Sequence, residues 1–84
     1  MKPSRLISIR RNIASVLDNC APMLVPEVQL LRELNFQLQP PATLSEFEHV
    51  IGRMEEARQI IRHPVQDEGI KTKLTPLGEA ELLT

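Results

Sequence analysis

The side chains able to do chemistry are sparse in this 84-residue chain. Its two histidines, His49 and His63, have no cysteine beside them and no H-x-x-x-H spacing, which predicts no metal site. The single cysteine, Cys20, excludes an intrachain disulfide and continues an apolar helical stripe, so it reads as a packing residue. No Ser/His/Asp or Cys/His grouping has supporting context, and Glu55-Glu56 reads as a solvated helix edge. Gly52, Gly69 and Gly78 lie too far apart to build a phosphate-cradling loop. The expectation is a protein that is no enzyme and carries no cofactor. What remains is recognition by charge and hydrogen bonding. Ser45, His49 and Arg53 recur every four residues, a spacing that puts them on one helix face. Lys71 and Lys73 alternate with apolar residues on a predicted strand, and Arg10 and Arg11 sit in a basic N-terminal segment.

Composition narrows the partners. Hydrophobic residues make up 42% and charged residues 25%, so a single ordinary globular domain is expected over residues 1–84. There is no Trp or Tyr and only two Phe, which leaves too few rings for a platform that stacks single-stranded bases. Phe36 and Phe47 flank one predicted interhelix turn and are both expected to pack its core junction. No apolar run approaches the ~20 residues of a membrane span, and the basic N-terminus lacks the apolar stretch of a signal peptide. With one cysteine, this points to a cytoplasmic protein that does not meet a membrane. The net charge of -1 hides an asymmetry. Lys2, Arg5, Arg10 and Arg11 stand with no acid in the first twelve residues, whereas Asp18, Glu27, Glu33, Glu46, Glu48, Glu55 and Glu56 outnumber Arg32, Arg53 and Arg58 in the middle.

Periodicity supplies the elements that must position these groups. Leu6, Ile9, Ile13, Val16, Leu17 and Cys20 predict a helix over 4–20, with Ser4 as its cap and Pro22 beyond its end. A short extended piece follows, biased by Pro22 and Pro26. A second helix is expected over 26–36, with Pro26 in its first turn and Val28, Leu31, Leu34 and Leu38 as its stripe. Pro40-Pro41 breaks the chain. Thr43 and Glu46 form a capping box, with Ser45 and Glu48 offering a second, so a third helix is expected over 44–59 through Leu44, Phe47, Ile51, Met54 and Ala57. Residues 60–74 read as a β-hairpin turning at Gln66-Asp67-Glu68-Gly69, with Pro64 marking an edge. Thr75-Pro76 opens a terminal helix over 76–83. The fold class is mainly α with a small β-hairpin.

From Glu48 to Leu83 the chain resembles the third helix, wing and following helix of MarR- and PadR-type transcriptional regulators. The matching pieces are Arg53-Met54-Glu55, Ile60-Ile61, the Asp67–Gly69 turn and Leu74-Thr75-Pro76-Leu77-Gly78. The resemblance covers about half the chain and implies a winged helix-turn-helix that binds double-stranded DNA. The 37–42 stretch is longer than the tight turn of those families and holds a Pro pair in place of glycine. Those families also form dimers through extra terminal helices.

Two readings stand. In the first, the third helix enters the major groove, with Ser45, His49 and Arg53 toward bases and Lys71, Lys73, Arg10 and Arg11 holding phosphate. In the second, the acidic third helix of a winged-helix interaction module, alone or in a homodimer, meets a basic protein and no DNA is bound. The acids on that helix speak against the first. The lysines have a second role open to them, protecting an edge strand from aggregation.

Overall fold

The computed structural model describes residues 2–83. Pro3 occupies the first turn of α1 (Pro3–Cys20), where its missing N–H costs nothing. Lys2 precedes it and makes no side-chain cap, so Ser4, expected as the cap, lies inside the helix. After Ala21–Leu24 the chain forms a two-residue strand, β1 (Val25–Pro26), and runs straight into α2 (Glu27–Gln37). Pro26 is thus the residue before the helix and not its first turn. α3 (Leu44–Glu56) starts from the expected Thr43–Glu46 capping box: the Glu46 amide donates to Thr43 Oγ1 at 3.1 Å and the Thr43 amide to Glu46 Oε1 at 3.0 Å. β2 (Ile60–Val65), β3 (Gly69–Leu74) and α4 (Pro76–Leu82) complete the order, with Thr75 Oγ1 accepting from the Gly78 amide at 3.0 Å.

The molecule is therefore a mixed α+β fold: among the described residues, four helices and one three-stranded antiparallel sheet. None of these helices is long and apolar enough to cross a membrane. The sheet order is β1-β3-β2, with Val25 opposite Thr72 and with Ile60 opposite Leu74 through Val65 opposite Gly69. β3 is the central strand. Lys71 consequently protects no edge, since β1 pairs with it and Thr72, whereas Lys73 lies beyond the reach of β1; the long edge is β2, which carries Pro64.

α3 stops three residues earlier than its apolar spacing suggests. Arg58 takes a left-handed φ of 61°, its amide donates to Glu55 O at 3.0 Å, and the Gln59 amide donates to Met54 O at 2.9 Å. These two bonds form a Schellman cap, which turns the chain into β2. Because the left-handed region strains a residue bearing a Cβ, Arg58→Gly is expected to hold or raise stability by up to ~1 kcal/mol, read as a higher urea midpoint.

The core is aliphatic. Ile9, Ile13, Ala14, Leu30, Leu34 and Met54 have no exposed surface, and Leu17, Val25, Leu38, Phe47, Val50, Ile51 and Ile60 close around them. Four expectations of the periodicity fail here. Val28 is 75% exposed while Leu30 is buried, because α1 and β3 pack on the Leu30–Leu34–Leu38 side of α2. Leu44 is 60% exposed, one turn before the buried Phe47. Ala57 lies outside the helix and is exposed. Phe36 is 76% exposed, so only Phe47 packs the junction.

Candidate functional site

The α2–α3 connection is held from two sides. Asn35 on α2 clasps Ala42, accepting from its amide at 2.9 Å and donating to its carbonyl at 3.3 Å. Arg5 on α1 spends its whole guanidinium on the same region. Nη1 donates to Pro40 O at 2.9 Å and Nη2 to Pro41 O at 3.2 Å, while Nε and Nη2 donate to Glu46 Oε2 and Oε1 at 3.1 and 3.2 Å. A fork-on-fork pair of this kind fixes orientation as well as charge. The longer connection with its two prolines is thereby tied to both α1 and α2, and the start of α3 is fastened to α1.

This clamp changes the electrostatics of α3. Hydrogen bonding from Arg5, aided by the Thr43 amide, holds the Glu46 carboxyl at about 2, below its ordinary 4.5. The pair raises the Arg5 guanidinium in turn, against a smaller opposing effect of burial. A carboxyl whose pKa is depressed on folding adds stability above its unfolded pKa and loses it as the group protonates. The Arg5–Glu46 contribution is thus complete above pH 4.5 and fades as pH falls toward 2. The difference in urea midpoint between wild type and Glu46→Gln is expected to shrink across that window and to be lost only below it, once Glu46 is protonated in the folded chain too.

A second clamp joins the sheet to both helices. Arg62 Nε donates to Glu27 Oε1 at 2.6 Å and Nη1 to Glu55 Oε1 at 3.5 Å, and Thr72 Oγ1 donates to Glu27 Oε1 at 3.5 Å. Its hydrogen bond to Glu27 is the main cause of the raised Arg62 pKa. Two of the acids counted against the third helix, Glu46 and Glu55, therefore carry intramolecular cations. Glu48 and Glu56 are exposed on α3.

The outward face of α3 lies opposite Phe47, Val50, Ile51 and Met54. At 100° per residue, Ser45, His49, Gly52 and Glu56 run along its centre, with Arg53 toward the Glu46 flank and Glu48 toward α2. Ser45, His49 and Arg53 are all exposed, as their spacing predicted. No atom lies within 4 Å of where a Cβ would stand on Gly52, so this face is open at its middle. On β3, Ile70, Thr72 and Leu74 point inward, and Lys71 and Lys73 share the outer face with His63 and Ile61 opposite them on β2. Lys73 is exposed, whereas Lys71 is partly covered and pairs with Glu68 at 3.0 Å. Arg11 is exposed on α1 and Arg10 partly covered.

The structure thus gathers Ser45, His49 and Arg53 on one face and places Lys71 and Lys73 together on another element. The N-terminal arginines split: Arg5 is structural, Arg11 faces outward elsewhere on α1, and Arg10 is partly covered beside the buried stripe. The clamps of Arg5 and Arg62 were not anticipated from the sequence, since their partners lie 41 and 35 residues away. Comparison with known proteins returns no match: no family model, curated protein or solved structure matches the chain.

Proposed function

We propose that the chain is a winged helix-turn-helix protein that binds double-stranded DNA through the outward face of α3. The observation that carries this reading is the pairing of Glu46, on the flank of that face, with Arg5, which leaves Glu56 as the acid along its centre. Recognition helices contact base edges through their N-terminal residues, and there α3 presents Ser45 and His49, with the open Gly52 and Arg53 one turn on. Hydroxyl and imidazole groups donate to or accept from base edges, and guanidinium pairs with guanine or phosphate. The order α1-β1-α2-α3-β2-β3, with β1 beside β3, supports the winged-helix assignment, as does the resemblance of residues 48–83 to MarR- and PadR-type regulators. In this assignment the β2–β3 hairpin is the wing, and Lys73 with Lys71 offers charge to a phosphate. Arg10 and Arg11 add charge from α1.

Fluorescence anisotropy with a labelled random duplex tests the proposal. Wild type is expected to bind at low salt with a dissociation constant of roughly 1–100 μM and to weaken steeply as salt rises. Unchanged anisotropy at ~50 mM salt up to several hundred micromolar protein would overturn it.

A further inference from the structure

We infer that the groove between α2 and α3 receives the basic, aliphatic face of α1 from a second copy of this chain. The groove has a volume of about 250 Å³ and is lined by Glu27, Val28, Leu31, Leu44, Phe47 and Glu48. Val28 and Leu44 are 75% and 60% exposed, and together they form an apolar surface that nothing in a single copy covers. The rim is acidic. Glu48 stands one turn beyond Leu44 and makes no ion pair among the described residues, while Arg62 is shared between Glu27 and Glu55. Three carboxylates against one guanidinium favour an occupant that is aliphatic in the middle and cationic at its edge.

The chain carries that chemistry on its own surface. Ile7 is 54% exposed on α1, and Arg11 follows four residues later on the same outward face. Arg11 makes no ion pair among the described residues, Arg10 adds a second cation, and the next acid on α1, Asp18, is two turns further on. Seating Ile7 between Val28 and Leu44 brings Arg11 toward Glu48. The basic segment and the acidic middle of the sequence then become the two halves of one contact. Every copy bears both halves, so the contact closes as a two-fold dimer with two equal interfaces or propagates as an open chain. The net charge of -1 sets little long-range repulsion against it. The inference does not rest on DNA binding, and its test contains no DNA.

Sedimentation equilibrium of the full chain decides it. Wild type is expected to self-associate reversibly between ~10 μM and ~1 mM, more weakly at ~500 mM than at ~50 mM salt. Arg11→Glu and Glu48→Lys are each expected to raise the dissociation constant about tenfold, and the double exchange R11E/E48K to recover most of the loss. Both residues are exposed, so unchanged circular dichroism is expected to accompany each variant. A monomer at every concentration, single variants that associate like wild type, or a double exchange no tighter than the singles would each overturn the inference. If the chain is monomeric but a synthetic helix bearing Ile and Arg four residues apart shifts the amide resonances of Leu44 and Glu48, the second copy is excluded and a different basic protein is the occupant.

Discussion

Gly78→Ala is expected to lower stability by about 2–4 kcal/mol, seen as a fall in melting temperature of roughly 10 °C or more. Helix propensity predicts the opposite sign, since alanine is favoured over glycine inside a helix by ~1 kcal/mol. The packing decides. A Cβ on Gly78 would stand 2.1 Å from the carbonyl oxygen of Gln59, 2.9 Å from its carbon and 2.9 Å from Leu74 Cδ1. That carbonyl cannot retreat cheaply, because it accepts from the Thr75 amide at 3.0 Å and follows the left-handed Arg58. The Arg58 carbonyl is pinned as well, by Thr75 Oγ1 at 2.7 Å. To admit the methyl group, α4 must lift away and take Leu82 off the core. Faster amide exchange across 76–82 is expected beside the lower melting temperature. Gly52→Ala is the matched control: with no atom within 4 Å it is expected to stabilise by ~0.5–1 kcal/mol. Equal melting temperatures for Gly78→Ala and wild type would show that α4 does not seat against Gln59.

The second large effect concerns binding. Arg53→Glu with Lys73→Glu is expected to reduce affinity for a random duplex by about a hundredfold at ~50 mM salt, and to flatten the salt dependence. Both side chains are exposed and neither makes an ion pair among the described residues, so their reversal changes what the surface presents without undoing a fold contact. Lys71→Glu is expected to do less, because Glu68 already neutralises this lysine at 3.0 Å. Arg5→Ala is the informative third variant. It removes no side chain from the outward face, yet it releases Glu46 as an uncompensated charge beside that face and loosens the α2–α3 connection. A loss of both affinity and urea resistance is expected from it. Affinity unchanged in the double variant would remove α3 and the hairpin from the interface.

Local chemistry was legible in the sequence and distant pairing was not. The Thr43–Glu46 box, the Thr75 cap, the Gly69 turn with φ of 75° and the alternation of β3 are all decided within a few residues, and each is present. The spacing through Ala57 carries α3 to 59, three residues too far, because it gives no sign of the left-handed turn at Arg58 before the strand at Ile60. Strand pairing with β3 settles it by burying Ile60 and exposing Ile61. On α2, spacings that start from Leu30 or from Leu31 both reach Leu34 and Leu38, and only the contact with α1 and β3 selects Leu30. Arg5 looked like one of four equivalent N-terminal cations. Nothing in its neighbours marks it as the partner of Glu46, because that pairing exists only once α1 crosses the start of α3. The central position of β3 was equally hidden, since it depends on a two-residue strand too short to carry a pattern of its own.

In the proposed complex α3 meets DNA with Ser45, His49, Gly52 and Arg53. The most direct measurement is a titration of the isotope-labelled chain with a random duplex at low salt, followed by amide resonances. Shifts are expected to concentrate at these four residues and at Lys73 on the hairpin, with Val28 and Leu44 in the groove little changed. Shifts confined to the groove, or none on the outward face of α3 at saturating duplex, would contradict that complex.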